Sequence, residues 1–243
     1  MTAPHGRGIT KSIRSEIIDG NLAQRSSYGL IYTELLGWVD LGHAQGTDIR
    51  NLWAQMLRGE SQSGPTYDVT YKQSMVGLKR RLTVGKSITW RLKKGLRYHQ
   101  KQSIALAMMI TVARRFEGLQ GSFPFSLASD SGFSGEDLVS DLLGFYQVMS
   151  CMNNVFSYLK PISKEEALKR WDHYGKIGSW KNETFKPLLF PDPVRSPNGR
   201  PHFGQLPDFM KSVTPYNRWT SEDVGIVDPN RGFIRFGRGV PRV

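Results

Sequence analysis

The sequence predicts an α+β fold, mainly α: a helical core, a small β-hairpin region at about 67–91 and a loop-rich, aromatic C-terminal tail. Three observations carry this. Ile49, Leu52, Trp53, Met56 and Leu57 recur at helical spacing, and Ile104, Ala105, Leu106, Ala107, Met108, Ile110 and Val112 make a segment that is apolar nearly all round. Tyr67, Val69 and Tyr71 alternate with Asp68 and Thr70, while Leu82, Val84, Ile88 and Trp90 fall at even spacing around Gly85-Lys86, which is the period of strands. From Pro187 onward, Pro191, Pro193, Pro197, Pro201, Pro207 and Pro215 interrupt any long helix.

The elements follow in order. Residues 1–27 read as an irregular lead with one short helix near Ile13 to Ile18. Residues 28–186 read as the mainly helical core domain. Thr47 and Asp48 start a helix there, as N-cap and as a first-turn charge favoured by the helix dipole, and Gly59 ends it. A long helix runs from about Arg97 to Glu117-Gly118. Ser134, Glu136 and Asp137 open another, with Ser134 as its cap, and a further helix covers about Ser163 to Tyr174. Residues 187–243 read as an extension packed on the core, because a tail carrying Phe190, Phe203, Phe209, Tyr216, Trp219, Phe233 and Phe236 is too aromatic for a disordered segment.

A chain of 243 residues makes one large domain or two small ones. No run approaches eighteen apolar residues, so no membrane-spanning helix is expected. The lead carries Arg7, Lys11, Arg14 and Glu16 without an apolar stretch, so no Sec signal is expected either. The expected location is the cytoplasm as synthesised, with export to a periplasm by another route. Cys151 is the only cysteine, which excludes an intramolecular disulfide and a multi-cysteine metal site and leaves a buried, inert thiol as its expected state.

The charge is concentrated. Between Val69 and Phe116 there are twelve basic residues and no acidic one, against a net charge of +12 for the whole chain. Such a field draws polyanions. Arg80, Arg81, Lys93 and Lys94 are the expected substrate-binding cations of this 72–115 region, with peptidoglycan favoured over nucleic acid as the anionic polymer. Nucleotide chemistry finds little support: Gly85-Lys86-Ser87 matches the end of a phosphate-binding loop, but Arg80 stands where its first glycine belongs.

The densest chemistry lies in Gly37-Trp38-Val39-Asp40-Leu41-Gly42-His43, a carboxylate and an imidazole set into an apolar run. A buried carboxylate requires a partner, and imidazole is the side chain most readily tuned for proton transfer near neutral pH. Read as a helix, the spacing puts Asp40 and His43 on one face. His43 is then a general base oriented by Asp40, or a ligand that holds a divalent metal such as zinc with one or two carboxylates. Glu136 and Asp137 also suit a helix N-terminus with no further role.

Three blocks resemble an uncharacterised family of bacterial envelope or secreted proteins of unknown function. They are Tyr28-Gly29-Leu30-Ile31-Tyr32, the Gly37–His43 run, and Ser134-Gly135-Glu136-Asp137-Leu138-Val139-Ser140-Asp141-Leu142-Leu143-Gly144. The resemblance covers roughly residues 28–148. It implies that Asp40, His43, Glu136 and Asp137 belong to one site. It also implies a His-Glu pair where this chain has Thr111 and Val112, so that a ligand pair is lost or Glu117 replaces it. Separately, Glu60 follows a helix and precedes a hairpin, the order found in lysozyme-like glycosidases, where a carboxyl with raised pKa protonates the leaving oxygen; Asp68 would be the second carboxylate.

These features together predict a hydrolase of the bacterial envelope, of peptidoglycan amidase or muramidase type. A delivered antibacterial effector, with secretion machinery and an immunity protein as partners, fits the same profile. Two alternatives stand beside it: a nucleic-acid-binding protein using the 72–115 region, and a non-catalytic adaptor of a larger assembly that docks through its aromatic tail.

Overall fold

A computed structural model describes residues 13–77, 82–120, 134–150, 152, 154–218 and 222–236. The fold is α+β and mainly α. The described residues form two compact units, one within 47–119 and 213–236, the other within 13–46 and 134–212. These units follow neither the 27/28 nor the 186/187 boundary expected from composition, since the Pro-rich tail is shared between them.

The first unit is built on a three-stranded antiparallel sheet. Strand β3 (Thr66–Gly77) pairs with β4 (Leu82–Lys93) in an unbroken register from Thr66↔Lys93 to Gly77↔Leu82, and β4 pairs with β7 (Val224–Phe236). The hairpin expected at 67–91 is thus present and longer than expected, and β7 is a strand where only an irregular tail was anticipated. Helix α2 (Thr47–Glu60) lies along β3. Its Ile49, Leu52 and Met56 are buried, as are Tyr67, Val69 and Tyr71 on the strand. Gly59 lets the helix close on Tyr67, because a Cβ there would stand 2.1 Å from the ring. The Gln55 side chain runs beside β3 like a short strand: its Nε2 donates to the Thr70 carbonyl and its Oε1 accepts from the Thr70 amide, each at 2.9 Å. Helix α3 (Tyr98–Gln120) is apolar over Ile104–Met109, as its composition requires.

The second unit holds a four-stranded sheet in the order β1 (Leu30–Thr33), β2 (Gly37–Asp40), β5 (Leu188–Leu189), β6 (His202–Phe203). The block 28–43, in which only the Asp40–His43 spacing is read on a helix, is a tight antiparallel hairpin with Leu30 opposite Asp40 and Thr33 opposite Gly37, followed by the single-turn helix α1 (Leu41–Ala44). Every β1 residue is buried, so the hairpin has no polar face to reveal its period. Helix α5 (Lys164–Tyr174) starts at Ser163, whose hydroxyl accepts the Glu166 amide at 3.2 Å, and covers β1. Edge-to-face contacts link Tyr32 to Trp38 at 5.3 Å and Trp38 to Trp171 at 5.8 Å, and Leu30, Ile162 and Phe190 complete this core.

Helix α4 (Asp137–Met149) is buried along nearly its whole length and packs on α1. Two glycines make that contact. A Cβ on Gly144 would stand 2.7 Å from the His43 carbonyl oxygen, and one on Gly46 would stand 2.3 Å from the Gly144 carbonyl oxygen. Gly46 also has φ +60°, a conformation glycine adopts without strain. The contact is backbone against backbone, so neither neighbour can rotate away. Gly144→Ala is expected to destabilise the protein by about 1–3 kcal/mol, the usual range for overpacking. Urea unfolding measures it, and an unchanged midpoint would show that α1 and α4 are not held this closely.

Candidate functional site

The site is assembled at the junction of β2, α1 and α4. Asp40, the last residue of β2, is the N-cap of α1. Its Oδ1 accepts the Gly42 amide at 2.6 Å and the His43 amide at 3.4 Å, and its own amide donates to the Ser140 hydroxyl at 3.0 Å. Asp40 therefore serves the backbone of the turn that carries His43, and it does not take the imidazole proton as expected. Its strand position explains this: the chain turns between Asp40 and His43, and the shared helical face does not exist.

The carboxylate that meets His43 comes from α4. His43 Nδ1 donates to Asp141 Oδ1 at 2.7 Å, with only 9% of the imidazole and 7% of the carboxylate side chain exposed. Burial by itself lowers the imidazole's proton affinity. The Asp141 charge and hydrogen bond, helped by the charges of Asp40 and Asp137, outweigh it and hold His43 well above its ordinary value of 6.5. Its second nitrogen, Nε2, is screened from solvent and has no hydrogen-bond partner among the described residues. An orphaned buried N–H is uncommon and costs about 1–3 kcal/mol.

Glu136 and Asp137 lie on the same stretch of α4, and both are buried. Glu136 Oε2 accepts the Ser134 hydroxyl at 2.6 Å, and Asp137 Oδ2 accepts the Ser134 amide at 3.1 Å. Ser134 therefore donates to the acids and does not cap the helix amides, which corrects the expected cap. Asp137 reaches His43 through its charge alone.

Glu60 lies elsewhere, in the first unit, and lacks the property a glycosidase acid needs. Burial pushes its carboxyl up, but Lys101 at 2.8 Å, the Gly95 amide at 3.0 Å and the Tyr67 hydroxyl at 3.2 Å more than offset this and hold it below its ordinary value. It is a knot that ties the end of α2 to the hairpin and to α3. Asp68, its expected companion, is paired through both oxygens with Arg91, at 2.7 and 2.9 Å.

The basic window is partly neutralised by acids from outside it. Arg91 has Asp68, Lys101 has Glu60, and Lys93 lies 3.9 Å from Asp223. Lys94 contributes its amide to the Pro65 carbonyl. Arg80, Arg81, Cys151 and the Glu117 side chain lie outside the described residues. Thr111 turns its hydroxyl back onto the Ala107 carbonyl at 2.7 Å, and Val112 is buried. Among the described residues, no three His, Cys, Asp or Glu side chains converge as a metal cage, and no helix is long and apolar enough to cross a membrane.

No family model, curated protein or solved structure matches this chain. The geometry therefore stands by itself: a buried carboxylate–imidazole pair whose Nε2 has no hydrogen-bond partner among the described residues. Asp141 could have been found from sequence, since a carboxylate between Ser140 and Leu142 on a helix otherwise lined by Leu138, Val139, Leu143 and Phe145 must be paired once buried.

The pair makes stability depend on pH. Because folding raises the His43 pKa, its contribution is complete below about pH 6.5 and is lost as pH rises through the folded value. Unfolding free energy is expected to fall with rising pH across that interval, and an NMR titration of His43 is expected to give a midpoint above 6.5. A midpoint at or below this value would remove the pair. Asp141→Asn is expected to abolish this pH dependence and to destabilise the fold by about 3–5 kcal/mol, as loss of one member of a buried pair does.

Proposed function

We propose that the chain is a hydrolase of the bacterial cell envelope that cleaves an amide bond in peptidoglycan, with His43 as its proton-transfer group. The His43–Asp141 pair carries this, because Nδ1 is committed to a buried carboxylate while Nε2 is uncommitted. Asp141 orients the ring and stabilises its positive charge, the arrangement by which carboxylate–imidazole pairs do acid–base work. With Nδ1 bound to Asp141, the proton given to the leaving amine nitrogen as the C–N bond breaks comes from Nε2. Water supplies the hydroxyl that joins the carbonyl carbon, and its remaining proton returns to Nε2. Asp40 and Ser140 position the turn that presents the ring.

An amide is favoured over a glycosidic bond because Glu60 is bound to Lys101 and the Gly95 amide, which favour its charged form, whereas a glycosidase acid needs a raised pKa. The basic residues of the 72–115 region would hold the anionic polymer, and the resemblance to envelope proteins supports that substrate class. Delivery as an antibacterial effector, countered by an immunity protein, belongs to the same proposal. Nε2 is screened, so substrate reaches it after local opening around α1.

Purified peptidoglycan incubated with the protein is expected to release free amines, and His43→Ala is expected to reduce that release by about a hundredfold or more. Glu60→Gln is expected to leave it unchanged. Release of reducing sugar in place of amines, or full activity in the His43 variant, would rule out the assignment.

A further inference from the structure

A second cleft in the same unit is built around a buried cation that has no direct salt bridge among the described residues. Arg170 on α5 is only 8% exposed. Its guanidinium lies over the Tyr32 ring, with Cζ 4.7 Å from the centroid and a polar contact to that side chain, and it donates to two backbone carbonyls: Nε to Phe190 at 3.1 Å and Nη1 to Glu166 at 3.2 Å. Among the described residues it makes no direct salt bridge, and the Asp192 carboxylate feels its charge only at longer range. A charged side chain is almost never this buried unless paired, and carbonyl dipoles satisfy only part of a five-donor fork.

The guanidinium lines a cleft of about 200 Å³ with Tyr32, Phe190, Glu34, Asp192 and His202. The framework is rigid. The Tyr32 hydroxyl donates to the Phe190 carbonyl and accepts the Phe190 amide, both at 2.8 Å, which fixes the wall segment against β1. The volume is below the range of drug-sized pockets, so the occupant is one small group. The lining carries both signs of charge: Arg170 is at the buried end, and Glu34 and Asp192 are at the more exposed positions, with Asp192 already accepting the Val194 amide and lying 3.8 Å from the exposed Arg195 guanidinium. A simple anion would meet Arg170 but be repelled by those acids. A ligand with a carboxylate and an ammonium on neighbouring atoms satisfies both.

We propose that the Arg170 cleft binds the zwitterionic end of an α-amino acid, its carboxylate on the Arg170 guanidinium and its ammonium between Glu34 and Asp192. Two sources present this chemistry: a free amino acid, and an amino-acid residue joined to a larger molecule through its side chain. The proposal is independent of the His43 assignment, because it concerns binding and involves neither His43 nor Asp141.

Isothermal titration of the full chain with alanine, Nε-acetyl-lysine, acetate, methylammonium and inorganic phosphate tests it. Saturable binding of alanine or Nε-acetyl-lysine is expected, with acetate, methylammonium and phosphate each at least about tenfold weaker, as loss of one charged hydrogen bond predicts. Tighter binding of alanine identifies the free amino acid as the source, and tighter binding of Nε-acetyl-lysine identifies the tethered end. Arg170→Met removes a buried side chain and threatens the fold, so Glu34→Gln and Asp192→Asn carry the test. Asp192→Asn keeps an oxygen for the Val194 amide that Asp192 now accepts at 2.8 Å. Both variants are expected to weaken zwitterion binding about tenfold while leaving acetate binding unchanged or stronger. Phosphate or acetate binding as tightly as alanine, no saturable binding of either zwitterion, or unaltered affinity in both rim variants would overturn the proposal.

Discussion

The backbones of α1 and α4 touch at Gly46 and Gly144, and the polar interior of the second unit depends on that contact. With no side chain between them, the helices approach until the His43 carbonyl and the Gly144 Cα are in van der Waals range. Asp141, one turn earlier on α4, then falls level with the His43 ring. The neighbouring Ser140 meets the amide of Asp40 at the end of β2. A close approach that costs little in glycine thus fixes three polar contacts that are costly to leave unmade, and the apolar residues around them exclude the water that would otherwise compete.

Much of the architecture was legible because amphipathic periodicity survives where an element has one wet face. Helix α2 and the β3–β4 hairpin show it, whereas α3 was legible from a run too long and too apolar for a strand. The β1–β2 hairpin did not, because both of its faces are covered: Leu30, Ile31, Tyr32 and Thr33 are buried in succession, and a continuous apolar run is ambiguous between strand and helix. Strand β7 was hidden for a different reason. Asp228-Pro229-Asn230 reads as a turn, yet it sits in a strand whose register with β4 shifts between Ser87 and Trp90, and that irregularity absorbs it. The two-residue strands β5 and β6 are too short to carry any period.

The candidate site was half legible. His43 stood out because an imidazole in an apolar run is unusual, and the same α4 start that holds the buried Glu136 and Asp137 leads to its partner Asp141. Its partner was misassigned because three-residue spacing was taken as contact when the intervening backbone changes from strand to helix. Pairings such as His43–Asp141, Glu60–Lys101 and Asp68–Arg91 connect residues that are remote in sequence or lie on different strands, and only the fold selects among the candidates. The same holds for Arg170, which looks like an ordinary solvated helix residue in Lys164–Tyr174 until Tyr32 and Phe190 are folded around it.

Strand β3 is an outer strand of its sheet, with β4 on one side only. Outer strands expose amides and carbonyls that can recruit a strand from another molecule, which is a route to aggregation. Gln55 occupies that position at Thr70 with a donor and an acceptor in the geometry an incoming strand would use. One helical side chain thereby caps the open edge at mid-strand. A short polar residue there would leave α2 helical but return the Thr70 backbone to solvent, so the identity of residue 55 bears on how the protein behaves at high concentration as well as on how it folds.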